Sequence, residues 1–382
     1  MLKDITVLDL SRVLAGPYCS MMLADLGAEV IKIESARGDD TRAWGPPFYK
    51  SESAYYLSCN RNKKSVVIDI RTKEGQEVLH EIAKEADVVI ENFKVGGLKK
   101  YNLDYDTIKA LNPSVIYCSI TGYGQDGPYK DMPGYDFIIQ GLCGLMSITG
   151  EVEGQPMKVG VAITDILAGL FSTIGILSSL HKRGKTGKGE YIDVSLLDTA
   201  VASMANVASS FLISGENAKR YGNAHPSIVP YETFMSKDGY FNIGVGNNGQ
   251  FGNLCRILGH PELAEDERFL SNTDRVKNRV SLSAALNEIL VTKNAAEWLE
   301  ELQQNNVPAG PINTMQDVFE NEQVLARGMI TKVRHQLGDW IQMVNSPIKY
   351  KDFQYETHTA PPLLGEHTEE ILERFVSQRK VG

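Results

Sequence analysis

One carboxylate interrupts a largely apolar stretch, and a carboxylate in such surroundings is suited to covalent chemistry. The stretch is residues 157–180, MKVGVAITDILAGLFSTIGILSSL, and the carboxylate is Asp165. From Ile166 onward the apolar residues recur at helical spacing, which predicts a helix with Asp165 at its N-cap or in its first turn. Two interpretations fit this stretch alone. Asp165 is either a helix cap with no further role or a carboxylate nucleophile in an apolar wall.

The composition is that of an ordinary soluble globular protein. The chain has 382 residues, with 42% hydrophobic and 23% charged residues, and is long enough for more than one domain. Its net charge of −9 argues against a nucleic-acid surface or an anionic membrane as a partner. Any anionic ligand must therefore be bound by local cations.

The cysteines and histidines predict neither a disulfide framework nor a metal site. The five cysteines are scattered without a C-x-x-C pair, which suits a reducing compartment, and the seven histidines lack metal-type spacing. The longest apolar stretches carry Asp165, Asp198 or Asn206, so they are expected to be buried core helices and not membrane spans. The first residues predict a strand and no signal segment, so we expect a cytoplasmic protein.

Strands and helices alternate along the first half of the chain. Strands are predicted at 5–10, 29–34, 65–70, 87–91, 114–120 and 191–194, with helices at 18–26, 74–86 and 196–213 and the helix of Asp165. This alternation predicts an α/β fold with a parallel, doubly wound sheet. The first unit is not a dinucleotide site, because SRVLAGP supplies one glycine where the phosphate loop needs three.

The chain changes character near residue 215. A literal G-x-G-x-x-G at Gly244, Gly246 and Gly249 lies between a predicted strand and helix, but no second strand follows, so the dinucleotide context fails here too. Residues 253–325 are mostly charged amphipathic helices and predict a small second domain. The tail returns to strands and ends in a helix.

Distinctive motifs are spread from end to end of the chain. They are SRVLAGP (11–17), LGAEVIKIE (26–34), GDDTRAWGPP (38–47), NRNKKSVVIDI (60–70), VIENF (89–93), ITGYGQDGP (120–128), GYD (134–136), ITD (163–165), KTGKGEYIDVSLLD (185–198), GNAHPSIVPY (222–231), VPAGPIN (307–313) and PPLLGEHTEEIL (361–372). Together they resemble the motifs of one family, the family III CoA-transferases, which include the formyl-CoA and carnitine CoA-transferases. Several of these runs look most like the members that move CoA between dicarboxylates such as succinate and glutarate.

The resemblance implies a fold and an assembly. It implies a Rossmann-like large domain with a parallel sheet, built from residues 1–214 and 326–382. It also implies a smaller inserted α+β domain at residues 215–325. Two ring-shaped subunits are expected to interlock as a homodimer.

The resemblance also implies a reaction, in which Asp165 is the nucleophile. A carboxylate can attack an acyl-CoA thioester to form a mixed anhydride, and the released CoA can then form an aspartyl-CoA thioester. The substrates are then an acyl-CoA and a carboxylate, with no permanently bound cofactor and no metal. Backbone N–H donors for the tetrahedral intermediates are expected at Ile166–Leu167 and at the Gly246–Gly249 loop.

Site residues follow from the family's motif positions. The residues expected to contact CoA are Arg71, Asn92, Phe93, Lys94, Lys100 and Tyr135. The residues expected to contact the acid substrate are Arg12, Arg42 and His225. For any one lysine, simple solvation at the surface is the competing interpretation.

Departures from the family's patterns narrow the function. Formyl-CoA transferases close a triple-glycine loop where this chain has His225–Ser227, so their loop-closure mechanism is not expected here. They have a glutamine where this chain has Leu14, which argues against oxalate or formate as substrate. α-Methylacyl-CoA racemases keep the aspartate but pair it with a histidine where this chain has Tyr135, a poor acid–base group near neutral pH. A racemase-like enzyme and a non-catalytic acyl-CoA-binding protein are the alternatives.

Overall fold

The computed structural model describes residues 1–353 and 358–376, and these residues form two compact units. Unit 1 comprises Met1–Leu145, Val159–Gly215 and the described part of Glu322–Gly382. Unit 2 comprises Met146–Lys158 and Glu216–Asn321. The limits of unit 2 lie close to the predicted 215–325, but residues 146–158, which the sequence analysis placed in the large domain, group with unit 2.

Strands and helices follow one another along most of the described chain. Up to Ser214 they are β1 (Thr6–Asp9), α1 (Ala15–Asp25), β2 (Glu29–Glu34), β3 (Phe48–Tyr49), β4 (Glu52–Ser53), α2 (Ala54–Ser58), β5 (Lys63–Val67), α3 (Lys73–Glu85), β6 (Val88–Glu91), α4 (Tyr105–Leu111), β7 (Ile116–Thr121), α5 (Asp136–Leu142), α6 (Leu145–Ile148), α7 (Ile163–Thr186), β8 (Glu190–Ser195), α8 (Leu196–Ser203) and α9 (Ala205–Ser214). After Ser214 they are β9 (Tyr231–Met235), β10 (Tyr240–Gly244), α10 (Asn248–Ile257), α11 (Asn272–Lys277), α12 (Arg279–Leu290), α13 (Ala295–Gln304), β11 (Ala309–Pro311), α14 (Met315–Glu320), α15 (Glu322–Ala326), β12 (Ile330–Arg334), β13 (Trp340–Val344) and α16 (Thr368–Val376).

Unit 1 is built on a six-stranded parallel sheet with the order β5-β2-β1-β6-β7-β8. Counted along the chain within this sheet, the order is that of a doubly wound fold, in which the strand order reverses between β1 and β6. All six strands overlap the strands predicted from the sequence. The predicted α/β class with a parallel sheet is confirmed.

Both faces of this sheet are buried, which explains why its strands are almost continuously apolar. Adjacent residues of β1 point to opposite faces: Val7 packs with α1 and α7, and Leu8 packs with α3 and α16. Each layer is a cluster of fully buried aliphatic side chains, such as Leu23 and Ile176 on one face and Leu79 and Ile371 on the other. The sheet therefore fixes the helices that carry the site.

Unit 2 has its own core around a three-stranded antiparallel sheet, β11-β10-β9. Phe234 and Phe241 from the sheet pack with Trp298 of α13, and each is almost fully buried. The combination of this sheet with five helices, α10 to α14, gives the unit an α+β character. The last segment of unit 1 adds the β12–β13 hairpin and α16.

The helix of Asp165, α7, is the helix among the described residues that is long and apolar enough by itself to cross a membrane. The bent pair α8 and α9 passes the same test only if it is counted as one span. In the structure α7 lies against α1, β7 and β8, as a core helix does. A Cβ added at Gly169 would lie 2.8 Å from the Ala15 carbonyl oxygen, so glycine permits the close approach of α7 to α1.

We predict that Gly169→Ala destabilises the protein and that Gly184→Ala, in the same helix, stabilises it. The added methyl at Gly169 has to push α1 and α7 apart, which costs about 1–3 kcal/mol. Gly184 has open space around it, so alanine there gains helix propensity, about 0.8–1 kcal/mol. Urea unfolding of both variants measures the difference. Equal midpoints for the two variants would show that α1 and α7 are not in close contact.

Candidate active site

Asp165 is the third residue of α7 and lies in its first turn. The sequence predicted either this position or the N-cap. Asp165 does not cap the helix. The N-cap residue is Ala162, and no side chain of the cap residue bonds the helix end. The largely buried carboxylate of Asp165 has no ion-pair or hydrogen-bond partner among residues 1–353 and 358–376.

The cap of α7 comes instead from Asp136, at the start of α5. Its Oδ1 accepts hydrogen bonds from the backbone N–H and from the hydroxyl of Thr164, each at 2.9 Å. Thr164 is fully buried and is the residue directly before Asp165. Sequence reasoning missed Asp136, because a cap supplied from 28 positions away leaves no local signal.

The surroundings of Asp165 disfavour its charged form. Burial raises its pKa, and the negative charge of Asp136 raises it further, to about 7. Tyr55 of α2 shares the region: burial raises its pKa to about 12, and the charge of Asp165 is the next contribution. The ring of Trp44 packs edge-on against Tyr55, with ring centroids 5.3 Å apart. The site therefore holds a carboxylate that is poised between its two protonation states at neutral pH.

The loop between β1 and α1, at the carboxyl end of β1, is held by side chains from other loops. Asn92, after β6, pairs with both backbone groups of Arg12: its Oδ1 accepts the N–H at 3.0 Å and its Nδ2 donates to the carbonyl at 2.7 Å. Val13 has a φ of +73°, which is strained for a β-branched residue. Its N–H donates to both carboxylate oxygens of Asp39, at 3.2 and 3.1 Å. The predicted CoA contact Asn92 thus has a scaffold role that the sequence did not reveal.

The two arginines predicted to bind the acid substrate are placed very differently. Arg12 is exposed and pairs through one nitrogen with the equally exposed Asp40, at 3.0 Å. The guanidinium of Arg42 is about nine-tenths buried and donates to Glu34, Glu52 and Tyr56 at distances between 2.6 and 2.9 Å. Each guanidinium nitrogen donates a hydrogen bond within the protein, so Arg42 has a scaffold role, and its contact with the acid substrate stays a prediction.

The predicted CoA contacts follow two strands of the parallel sheet. Arg71 is exposed and forms a bidentate pair with Asp69, at 2.8 and 2.7 Å, which lowers the pKa of Asp69 to about 2. Lys94 and Lys100 are exposed in the turn after β6, and Lys100 lies 4.8 Å from the Tyr101 ring centroid. Arg71 interacts electrostatically with the same tyrosine, so these two turns lie near each other.

The last two predicted contacts differ in exposure. Phe93 is half-buried in one core layer, and its N–H donates to Glu91. Tyr135 is 65% exposed at the start of α5.

The residues predicted in unit 2 are held by that unit's own contacts. The Nδ1 of His225 accepts the N–H of Ser227 at 3.1 Å, and its backbone carbonyl accepts from Arg279 at 3.2 Å. The N–H of Gly246 donates to Gln250 at 2.8 Å and is not free to stabilise an oxyanion. The N–H of Ile166, in α7, is likewise used by the carbonyl of Ala162. These two predicted oxyanion donors are therefore not available.

Comparison with known proteins first defines the class of fold and then the family. A solved structure of a CAIB/BAIF family protein from Brucella suis matches with a TM-score of 0.88 and 49% identity, covering 97% of this chain and 98% of that chain. The model of CoA-transferase family III matches residues 2–368. The chain belongs to CoA-transferase family III, and the resemblance seen in its motifs is confirmed.

Curated relatives support the same conclusion. A succinate–glutarate CoA-transferase from Agrobacterium fabrum is 46% identical over 378 residues, which are 97% of this chain and 94% of that protein. A succinyl-CoA:glutarate CoA-transferase from Mus musculus is 46% identical over 376 residues, which are 98% of this chain and 86% of that protein. This chain is therefore a CoA-transferase and an enzyme.

We predict that Asp165→Asn stabilises the protein at pH 8 and not at pH 4. The folded-state pKa of about 7 lies above the unfolded value near 3.8, so the folded state binds more protons and wild-type stability falls as the pH rises from 4 to 7. An amide removes this loss, which we put at about 1–3 kcal/mol after screening. Urea unfolding at both pH values measures the gain, with Asp198→Asn as the control for an exposed aspartate in a helix first turn. A loss of stability at pH 8 would contradict the prediction.

Proposed function

We propose that this enzyme transfers CoA from succinyl-CoA to glutarate or a related dicarboxylate, through an aspartyl-CoA thioester on Asp165. The observation that carries the proposal is the unpaired, largely buried carboxylate of Asp165 at the start of α7. The substrate pair rests on relatives named succinate–glutarate and succinyl-CoA:glutarate CoA-transferase, at 46% identity. The exposed Arg12 supports a substrate with a second carboxylate.

The reaction needs no proton transfer, redox step or metal. The Asp165 carboxylate attacks the thioester carbonyl and the C–S bond breaks. CoA leaves as a thiolate, and a mixed anhydride between the acyl group and Asp165 remains. The thiolate then attacks the aspartyl carbonyl, the anhydride C–O bond breaks, and the donor acid leaves as a carboxylate. An acceptor carboxylate reverses both steps and takes the CoA. In the anhydride and in the thioester the side chain of Asp165 carries no charge, so surroundings that disfavour its charge favour both.

Arg12 is the cation that we propose for the second carboxylate of the substrate. Its backbone is fixed by Asn92, whereas its guanidinium is exposed and meets only the exposed Asp40 among the described residues. An ion pair between two exposed side chains is worth little, so a substrate carboxylate can replace Asp40. The planar guanidinium also suits bidentate binding of a carboxylate.

We predict that glutarate is a better acceptor than butyrate or valerate by about 10- to 150-fold in kcat/KM, since a hydrogen-bonded charge contact contributes about 1.5–3 kcal/mol. Arg12→Met should remove this preference and leave the monocarboxylate rates nearly unchanged. With succinyl-CoA alone, hydroxylamine should attack the activated aspartyl carbonyl, release CoA and leave a hydroxamate on Asp165, and Asp165→Asn should lose both this label and turnover. Steady-state rates and mass spectrometry of the labelled peptide measure these effects.

The control for Arg12→Met is Arg268→Met. The side chain of Arg268, in unit 2, is about as exposed as that of Arg12 and pairs with Asp266. Its substitution should leave the acceptor preference intact. Equal rates for both acceptor classes in the wild type would overturn the dicarboxylate assignment. Labelling at another residue, or full turnover by Asp165→Asn, would overturn the covalent mechanism.

We further propose that the enzyme is an interlocked homodimer. Neighbouring helices of unit 1 expose large apolar side chains, more than a monomer usually leaves in water. These side chains are Phe137, Ile138 and Leu142 of α5, Phe171 and Ile174 of α7, Val201 of α8, and Phe211, Leu212 and Ile213 of α9. A second copy of the chain would cover them.

We predict one species of twice the 42.2 kDa chain mass in sedimentation, also at nanomolar concentration. Ile213→Glu, at a side chain 87% exposed, should shift it toward the monomer mass because it places a charge in the proposed interface. Val280→Glu is the matched control, since Val280 is 81% exposed but lies on α12 of unit 2. A folded, active monomer in the wild type would contradict the prediction.

A further inference from the structure

Asp136 connects the start of the helix of Asp165 to a second helix through a short chain of partly buried hydrogen bonds. One oxygen of Asp136 accepts both polar hydrogens of Thr164, and the other accepts from the Nε2 of Gln140, at 2.8 Å. Gln140 is fully buried, and its Oε1 accepts the N–H of Val159 at 2.9 Å. The chain leading into α7 and the first turn of α7 are thus both tied to α5.

A cap alone does not explain an aspartate at this position. Asparagine, serine or threonine would also accept the N–H of Thr164 and would bring no charge. A second carboxylate beside Asp165 repels its negative charge in a region of reduced solvation, which is unfavourable while Asp165 is ionised. Such repulsion is relieved whenever Asp165 loses its charge by acylation.

Few titratable groups offset this repulsion. Those that face the first turns of α7 are Asp136 from α5, Tyr55 from α2, and Tyr18 from α1, whose ring lies over Gly169. Burial raises the pKa of Tyr55 to about 12, so its phenol is neutral near pH 7. No basic side chain in the described part of the chain forms an ion pair with Asp165. The charge of Asp136 therefore acts on Asp165 without a neutralising cation.

We propose that Asp136 is a positioning residue for the nucleophile: it caps α7 at Thr164 and, through its charge, disfavours free Asp165 relative to the acylated forms. This inference rests on the proposed role of Asp165 as the nucleophile. Asp136, the last residue of the GYD motif, thus has two effects, the cap at Thr164 and the charge near Asp165. Different substitutions separate them. An asparagine keeps the acceptor for Thr164 and removes the charge, whereas an alanine removes both.

The test measures single-turnover labelling of Asp165 by succinyl-CoA as a function of pH. In the wild type the rate should rise through the pKa of about 7 and then level off, because the ionised carboxylate is the reactive form. Asp136→Asn should keep the plateau rate within about threefold and lower the midpoint by about 0.5–1 pH unit. At equilibrium above the midpoint, the ratio of the Asp165 thioester to free enzyme should fall by the factor that corresponds to this shift, about 3- to 10-fold. Asp136→Ala should also lower the plateau, by about 10- to 100-fold, because the nucleophile is less well placed.

Asp198→Asn is the matched control, since Asp198 is an exposed aspartate in the first turn of α8 and does not contact Thr164. It should leave the midpoint, the plateau and the thioester fraction unchanged. A wild-type midpoint and thioester fraction in Asp136→Asn, with Asp165 labelled normally, would overturn this inference and leave the covalent mechanism intact. Equal plateaus for the asparagine and alanine variants would overturn the capping role. If wild-type Asp165 takes no label, the proposed mechanism fails and this inference with it.

Discussion

The edge of the sheet that carries the site depends on one buried ion pair, between Lys32 and Asp39. Both side chains are fully shielded from solvent, and the Lys32 ammonium donates to Asp39 at 3.0 Å and to the Ser11 carbonyl at 2.8 Å. Burial alone would lower the pKa of Lys32, but Asp39 and Asp9 raise it above its ordinary value. A buried charge without its partner is strongly destabilising, so this pair fixes the turns after β1 and β2 together. The strained φ of Val13 persists because Asp39 holds its N–H.

Backbone contacts connect this ion pair to Asp165, the proposed nucleophile. The loop that Asp39 and Asn92 hold leads directly into α1, and the first turn of α1 meets α7 where Gly169 lies against the Ala15 carbonyl. Gly169 is one helical turn beyond Asp165, so the loop, α1 and Asp165 share one rigid frame. Asp136 of α5 fixes the first turn of the same helix through Thr164.

The sequence predicted what depends on local periodicity, and it failed where a side chain's partner is distant. The six strands and the first-turn position of Asp165 follow from apolar spacing and were found. Arg42 and Arg12 look alike in the sequence as loop arginines, but only the structure shows that Arg42 is buried and paired with Glu34 and Glu52. The cap from Asp136 could not be predicted either, because no residue near α7 in the sequence indicates it. Motif resemblance supplied the family because it samples the whole chain and not one element.

The placement of two carboxylates at the start of one helix links stability to chemistry. A helix N-terminus by itself favours a negative charge, so a single carboxylate there would be stabilised in its ionised form and would be less reactive. In this enzyme Asp136 takes that favourable position, so Asp165 is left in the first turn with little solvation and a like charge nearby. A carboxylate with a pKa far below 7 would be a weaker nucleophile, and one far above 7 would be mostly protonated. A pKa of about 7 keeps much of Asp165 ionised and would also favour its loss of charge in the proposed acylation, which the proposed thioester-conserving reaction requires.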